Sequence, residues 1–209
     1  MNESEILQNE FFLILKSAGV SEELVRKSWE EIRSRYSEPH RKYHTLTHLY
    51  YFLNRLKEFQ NRISDWDTVL LALFYHDLIY DVKEKDNEEQ SADISQTRLE
   101  LFGYSKDRIS LCKNLILATK THESIQDDTA DLFTDCDLSI LGAEQKYYQE
   151  YSEQIREEYN IYPDELYKPG RKKVLEHFLS MDFIFKTKEY REKKEKRARE
   201  NLSWELGTL

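Results

Sequence analysis

The feature that most constrains the fold is an uninterrupted apolar run, VLLALFY at residues 69–75, which is followed at once by His76 and Asp77. A helix through this run is apolar almost all round, and such a helix lies in the core of a protein rather than at its surface. Asp65 and Asp67 are both candidates for the residue that caps its start. The pattern therefore predicts a central buried helix that leads into a histidine–aspartate pair.

The rest of the chain is also typical of helices. Only 5 glycines and 3 prolines occur in 209 residues. Apolar side chains recur with helical spacing, and no stretch of any length alternates as a strand would. No internal repeat, low-complexity linker or sharp change in composition divides the chain. We therefore predict an all-α, single-domain helical bundle over 1–209, with a core at about 40–185 and a charged helix at 187–206.

Further helix predictions follow from the same periodicity. One helix is predicted to stop near Gly19, and Ser21 is predicted to cap the next. Asp86 and its neighbours are placed in an acidic loop, 82–89. The remaining helices are predicted at about 45–60, 88–102, 105–121, 143–159 and 164–185, and Gly103 is predicted to separate the second of these from the third.

The charge and the cysteines restrict the class of protein. A net charge of −9 argues against a nucleic-acid backbone as the main partner, although a local metal ion can still attract an anionic substrate. The two cysteines lack metal-site spacing and fit a reduced, intracellular protein. No stretch approaches the roughly 20 apolar residues of a membrane span, and the N-terminus is acidic where an export signal is basic. We therefore expect a cytoplasmic protein that does not enter a membrane.

Histidines supply the first two candidate sites. His44 and His48 stand four residues apart, so they share one helix face if the helix has begun by His44, and two such imidazoles can bind one metal ion. The alternative is a pair of surface or capping histidines, because this spacing is common. His76 and Asp77 are the second candidate, because burying a carboxylate costs several kcal/mol unless it is paired or binds an ion. The alternative there is a polar pair at a helix end.

Two further groups of polar residues interrupt apolar segments. Asp135 and Asp137 lie within DCDLSILG, where either of them is also a candidate helix N-cap. Lys120 and His122 end an apolar helix, where they face either an anionic substrate or only the negative end of the helix dipole. Taken together, imidazoles and carboxylates on three helical segments form the kind of ligand set that a metal site in a helical bundle uses.

The order of these motifs resembles the HD-domain superfamily of metal-dependent phosphohydrolases. The likeness is closest to a branch of predicted phosphohydrolases with the patterns YHxxxH, FxHDxxYD, DNExxSA and DxDLxxLG. The corresponding segments are YHTLTHL (43–49), FYHDLIYD (74–81), DNEEQSA (86–92) and DCDLSILG (135–142), with further likenesses in TKTH (119–122), YSEQIREEY (151–159) and PGRKKVL (169–175). The resemblance covers residues from about 40 to 180. One departure is the absence of the HDxGK pattern of many nucleotide hydrolases in the superfamily, so their substrate contacts do not carry over.

The resemblance implies an HD-type helical fold and a set of metal ligands: His48, His76, Asp77 and Asp137. His48 is preferred to His44 because related ligands precede a hydrophobic pair on the same helix, as His48 precedes Phe52 and Leu53. His44 then becomes a neighbour of the ligands or a substrate contact. Asp137 is preferred to Asp135 because it directly precedes the apolar run. The ligand set suits Mn²⁺, Fe²⁺, Co²⁺, Ni²⁺, Zn²⁺ or Mg²⁺ without choosing among them, and a second ion is left open.

The function that the resemblance implies is hydrolysis of a small phosphorylated substrate, with nucleotides among the candidates, by a metal-activated water. Asp77 would orient the water, Glu88 is the candidate general base, and His122 would assist the leaving group or bind a second ion. Lys120, Arg41 and Arg171 are the candidates for holding phosphate. A homodimer is left open.

Two rival interpretations remain at this point. The first is a non-catalytic helical module of the same fold that binds an ion or a small ligand. The second takes the basic tail as a nucleic-acid arm, but oppositely charged residues four apart, such as Glu195 and Arg199, favour a solvated helix instead.

Overall fold

A computed structural model of the chain describes residues 1–124 and 126–209, and all regular structure in these ranges is helical. The α-helices are α1 (Glu3–Ser17), α2 (Glu22–Arg35), α3 (Leu46–Lys57), α4 (Trp66–Tyr75), α5 (Asn87–Leu101), α6 (Lys106–Thr121), α7 (Asp128–Asp137), α8 (Gln145–Glu158), α9 (Asp164–Ser180), α10 (Lys188–Tyr190) and α11 (Lys196–Thr208). Short 3-10 helices span Gln60–Arg62 and Leu138–Gly142, and a π-helical turn spans Arg191–Glu195. The all-α prediction is confirmed.

The helices form two compact units, residues 1–125 and residues 126–209. Unit 1 contains α1 to α6, and unit 2 contains α7 to α11. The expectation that the whole chain is a single domain stays a prediction. Within the described ranges, no helix combines the length and the apolar character that crossing a bilayer requires.

Helix α4 is the centre of unit 1. Every residue from Thr68 to Tyr75 is buried, and α1, α3, α5 and α6 all pack against this helix. Phe11 of α1 meets Phe74 edge to face, with ring centroids 5.1 Å apart. Asp65, one of the two predicted caps, accepts a hydrogen bond from the Thr68 N–H at 3.3 Å. The predicted central buried helix is therefore confirmed.

Helix boundaries in unit 1 decide where the candidate residues lie. Helix α3 begins at Leu46, close to the predicted start at about 45, and Thr45 before it is extended. His44 therefore precedes the helix, and the condition under which His44 and His48 would share a helix face is not met. Helix α4 ends at Tyr75. Helix α5 begins at Asn87, close to the predicted start at about 88, so Glu88 lies in its first turn and the acidic loop predicted over 82–89 is shorter than expected. Acidic residues are favourable there because of the helix dipole.

The other end signals of unit 1 agree with the sequence. Ser21 caps α2 through the Leu24 N–H at 3.4 Å. Gly19 and Gly103 follow α1 and α5 with φ of +74° and +79°, in the left-handed region that glycine adopts at low cost. The predicted stops at these two glycines are confirmed.

Two predicted helices of unit 2 differ from those observed. Helix α9 ends at Ser180 rather than near 185, because Met181 is extended and Arg199 donates to the carbonyl of Met181 at 2.7 Å. The tail is helical from Lys188 to Thr208, but its Ala198 and Leu202 are buried. One face of the tail therefore packs against the other helices of unit 2, and the tail is not solvated all round. The predicted pair of Glu195 and Arg199 forms at 2.8 Å.

Asp135 joins α7 to the start of the C-terminal segment. It is fully buried, and its carboxylate accepts hydrogen bonds from the backbone N–H groups of Lys186 and Thr187 at 2.7–3.1 Å. The cap of α7 is Asp127, which accepts from the Ala130 N–H at 2.8 Å. The interpretation of Asp135 as the N-cap of its own helix is therefore wrong, because Asp135 lies well inside α7 and fixes a segment distant in sequence.

Candidate metal centre

Helices α3 and α4 bring together two buried imidazoles. His48 lies in the first turn of α3, and His76 follows the last residue of α4, against which α3 packs. The two side chains are almost fully buried, whereas the side chain of Asp77 is 18% exposed. The apolar run before His76 fixes α4 in the core, so the position of the pair is set by the packing of the whole unit.

Three potential ligand atoms converge at this point. His76 Nε2 lies 3.2 Å from His48 Nε2 and 3.0 Å from Asp77 Oδ2. His48 Nε2 and Asp77 Oδ2 are 4.0 Å apart. Two atoms that each lie about 2.1 Å from one ion are about 3.0 Å apart at a right angle and about 4.2 Å apart when opposite. The observed distances therefore fit a single ion with His76 adjacent to both other ligands.

The tautomer of His76 follows from its hydrogen bonds. Its Nδ1 lies 2.8 Å from the carbonyl oxygen of Leu73, which only accepts hydrogen bonds, so Nδ1 carries a proton. In the neutral ring, the lone pair of Nε2 then points at the carboxylate of Asp77 and at His48. A proton can bridge two of these three atoms, whereas a divalent cation can contact all three. The residues therefore fit a metal ion.

His44 also reaches this cluster, although it precedes α3. Its Nε2 lies 4.0 Å from Asp77 Oδ2, the same distance as that of His48, and its ring lies against Tyr80 with centroids 4.3 Å apart. The two histidines of the YHTLTHL motif thus meet on Asp77 through a loop rather than through a helix face. His44 is placed to contact either the ion or a ligand of the ion.

Arg41, predicted to hold phosphate, makes its observed hydrogen bonds within the protein, and its contact with a substrate stays a prediction. Its side chain is fully buried and makes four hydrogen bonds, to the carbonyl oxygens of His44, Asp77 and Leu78 and to the carboxylate of Glu38. These contacts use most of the five N–H groups of a guanidinium. The edge that would grip a phosphate in bidentate fashion is therefore already occupied.

Glu88 and Lys120 lie near the cluster in unit 1. Burial raises the pKa of the half-buried Glu88 carboxyl, and the charge of Asp77 raises it further. The Lys120 ammonium donates to the Glu89 carboxylate and, at 2.9 Å, to the carbonyl of Lys85, and its pKa is raised by the hydrogen bond to Glu89. Glu88 therefore holds a proton more tightly than an ordinary exposed carboxyl does. Lys120 is already paired, so a phosphate would have to compete with Glu89.

His122 caps the end of α6 in the left-handed conformation, with φ of +52°, and its N–H donates to the carbonyl of Ala118 at 3.1 Å. This agrees with the helix-end alternative and does not test a catalytic role, which stays a prediction.

The other two predicted site residues belong to unit 2. Asp137 is the last residue of α7, and its part as a metal ligand stays a prediction. Arg171 forms a buried ion pair in which Nε and Nη2 lie 2.7 and 3.0 Å from the two oxygens of Glu205. Tyr148 donates to the same carboxylate at 2.5 Å. The contact of Arg171 with a substrate therefore also stays a prediction, with Glu205 as its observed partner.

Two tyrosines around the cluster were not singled out as functional by the sequence. The Tyr36 hydroxyl accepts a hydrogen bond from the Asp77 N–H at 3.2 Å, and the rings of Tyr36 and Tyr80 lie 5.0 and 5.3 Å from the Arg41 guanidinium carbon. Tyr80 stands within the FYHDLIYD motif, so the motif contained a usable indication. Tyr36 lies outside every motif, and nothing in its local sequence points to Asp77.

Comparison with known proteins gives no family. No protein-family model matches the chain, and neither a curated protein nor a solved structure shows significant similarity to it. The likeness to HD-domain proteins therefore rests on the motifs, and the membership stays a prediction.

Proposed function

We propose that the chain is a metal-dependent phosphohydrolase of the HD-domain type, acting on a small phosphorylated substrate. The observation that carries the proposal is the convergence of His48 Nε2, His76 Nε2 and Asp77 Oδ2 within 4.0 Å, with the lone pair of His76 turned inward. The sequence resemblance adds Asp137 as a further ligand. A nitrogen- and oxygen-containing ligand set suits Mn²⁺, Fe²⁺, Co²⁺, Ni²⁺ or Zn²⁺.

A bound divalent ion supplies a water of lowered pKa and offsets the charge of a phosphate. The protein side chains then have separate parts. Asp77 would hold the ion through one carboxylate oxygen and would orient a water through the other. Glu88 would accept a proton from water in the site, since its raised pKa makes it a stronger base than an exposed glutamate. His44 lies beside Asp77, where it can donate to a phosphate oxygen.

The proposed partners follow from the same chemistry. The substrate is a phosphorylated metabolite, with a nucleotide as one candidate, and neither a membrane nor a nucleic acid is a proposed partner. A cytoplasmic location fits the two buried free cysteines, since reduced thiols persist in that compartment.

Ion binding is the first test. The protein would be stripped with a chelator, reloaded separately with each candidate cation, and analysed for bound metal. We expect one ion per chain, and His76→Ala and Asp77→Asn should abolish it. His177→Gln is the matched control, because His177 is an exposed histidine of unit 2. If neither the wild-type protein as purified nor any reloaded sample binds an ion stoichiometrically, the metal site is refuted.

Catalysis is the second test. The reloaded protein would be screened against phosphomonoesters, nucleotides, cyclic nucleotides and pyrophosphates. We expect metal-dependent release of phosphate or of a nucleotide that Asp77→Asn lacks and His177→Gln retains. An ion bound at full occupancy without turnover of any compound would favour the non-catalytic binding module instead.

A further inference from the structure

A buried arginine ties together the two segments that carry His44 and Asp77. Arg41 donates from Nη1 to the carbonyl of Asp77 at 2.7 Å and to that of His44 at 3.4 Å, and from Nη2 to the carbonyl of Leu78 at 2.9 Å. His44 belongs to the loop before α3, whereas Asp77 and Leu78 belong to the turn after α4. Arg41 itself lies in the first of these loops, so its side chain cross-links that loop to Asp77, 36 residues after Arg41.

The cost of this arrangement indicates that it has a purpose. A guanidinium is always charged, and burying a charge is unfavourable unless it is well paired. Arg41 has one carboxylate partner, Glu38 at 3.2 Å, and otherwise backbone carbonyls. The rings of Tyr36 and Tyr80 lie within 5.3 Å of its charged carbon, which adds cation–π attraction. Nη1 and Nη2 are thus used to fix backbone, and Nε alone pairs with an acidic group.

The backbone of Asp77 is held on both sides. Its carbonyl accepts from Arg41, and its N–H donates to the Tyr36 hydroxyl at 3.2 Å. With both peptide groups fixed, only rotation about the short side chain can move the carboxylate. The position of Asp77 Oδ2 relative to His44 and His76 is therefore set largely by contacts outside the cluster.

We propose that Arg41 is a positioning residue of the metal centre, which locks Asp77 and His44 in register before an ion arrives, rather than a contact for the substrate phosphate. This inference rests on the proposed function in that the ligands are held for an ion. Partners that orient metal ligands typically contribute about 10–100-fold to metal affinity. Lysine does not replace such an arginine, because one ammonium does not offer the planar fork.

The main test compares ion affinity in matched variants. Arg41→Met, Arg41→Lys and Arg98→Met would be titrated with Mn²⁺ and Co²⁺ after chelator treatment. Arg98 is the control, because it is a partly buried arginine of unit 1 that pairs with Glu31 at 2.7 and 2.8 Å. We expect both Arg41 variants to bind at least about tenfold more weakly, and Arg98→Met to bind as the wild type does. Wild-type affinity in Arg41→Met, or its recovery in Arg41→Lys, would overturn the inference.

Phosphate binding distinguishes positioning from substrate contact. Inorganic phosphate would be titrated into wild-type and Arg41→Met protein, each saturated with Mn²⁺. If Arg41 is a positioning residue, Arg41→Met leaves phosphate affinity nearly unchanged once the ion is in place. If Arg41 contacts the phosphate, the substitution lowers phosphate affinity while ion affinity stays at the wild-type level. That second result would overturn the inference.

An ion-free measurement separates this inference from the proposed function. Amide hydrogen exchange at Asp77, Leu78 and Ile79 would be followed in the chelated protein. We expect exchange in Arg41→Met to be at least about tenfold faster at these amides, with the interior of α4 unchanged. Tyr36→Phe keeps the ring and removes the hydroxyl, so it should speed exchange at Asp77 and carries the test if Arg41→Met does not fold. Unchanged exchange would refute the lock, whereas a wild-type protein that binds no ion would refute the proposed function.

Discussion

The imidazole of His76 donates from Nδ1 to the carbonyl oxygen of Leu73 at 2.8 Å, three residues earlier in the chain. The last carbonyls of a helix lack hydrogen-bond donors within the helix, and here the His76 side chain is the donor for one of these carbonyls. The same hydrogen bond assigns the proton of the imidazole to Nδ1 and turns Nε2 toward the cluster. The end of α4 and the state of the candidate ligand are therefore set by one contact.

Removing this imidazole is expected to abolish ion binding. His76→Gln keeps a polar side chain but lacks an aromatic nitrogen at the position of Nε2. We expect its affinity for Mn²⁺ or Co²⁺ to fall by more than the 10–100-fold or so that loss of an outer partner causes. Isothermal titration calorimetry on chelated protein measures the change. Affinity within about twofold of wild type would place the ion elsewhere.

The ion is expected to stabilise the fold. A ligand that binds only the native state at 100 times its Kd adds about 2.7 kcal/mol to the free energy of unfolding. We expect the midpoint temperature of thermal unfolding to rise when the cation is added and to fall back when a chelator removes the cation. Asp77→Asn should show no such shift, and without the cation it should be at least as stable as wild type, because it lacks the carboxylate that faces the His76 lone pair. A cation-dependent shift of wild-type size in Asp77→Asn would contradict the site.

The stability of the ion-free protein should depend on pH through Glu88. Burial and the charge of Asp77 raise the pKa of this carboxyl in the folded state above its ordinary value of 4.5. The folded state then holds the proton more tightly than the unfolded state, so protonated Glu88 adds to the free energy of unfolding. This stabilisation is fully present below pH 4.5 and is lost as pH rises through the raised pKa. We expect Glu88→Gln to gain stability relative to wild type as pH increases from about 4 to about 7.

Glu89→Gln is the control for this measurement, because the sign of its shift is opposite. The hydrogen bond from Lys120 lowers the pKa of Glu89, so its contribution is present above the ordinary carboxyl pKa and is lost as pH falls. Urea unfolding in the presence of a chelator would compare the three proteins. Parallel curves for Glu88→Gln and wild type would show that the carboxyl titrates normally.

Gly142 is expected to tolerate no side chain. A Cβ built there would lie 2.6 Å from Cβ and 2.9 Å from the carbonyl oxygen of Lys194, so the backbone would have to move. We expect Gly142→Ala to cost about 1–3 kcal/mol of the free energy of unfolding. Gly170→Ala is the control: nothing lies within 4 Å of its Cβ position inside α9, so alanine should be stabilising by about 0.5–1 kcal/mol. Urea unfolding of both variants decides the matter, and a stable Gly142→Ala would contradict the observed approach.

The sequence predicted the parts of the structure that depend on local patterns. The apolar run before His76 dictated a central helix, and Ser21, Asp65 and Gly103 marked helix ends through their own chemistry. The pairing of His48 with His76 and Asp77 followed from residue types and from a family resemblance. Each of these features depends on a short stretch of the sequence.

The features that the sequence did not predict depend on contacts across long separations. Backbone carbonyls have no sequence signature, so nothing distinguished an Arg41 that binds carbonyls from one that binds phosphate. The extended conformation of Thr45 leaves His44 in a loop, and no side-chain cap marks the start of α3 there. Asp135 resembled a helix cap because its true donors, Lys186 and Thr187, lie 51 and 52 residues later.

The bonds of Asp135 have a consequence for the order in which the protein is made. The last of the described helices of unit 1 ends at Thr121, so the helical contacts of that unit can form while the rest of the chain is still being translated. Unit 2 differs, because the buried carboxylate of Asp135 gains its backbone donors only after Lys186 and Thr187 have left the ribosomal tunnel. A nascent chain stalled before that point would hold a desolvated charge without its donors. We therefore expect unit 2 to fold only after both of these donor residues have emerged from the ribosome.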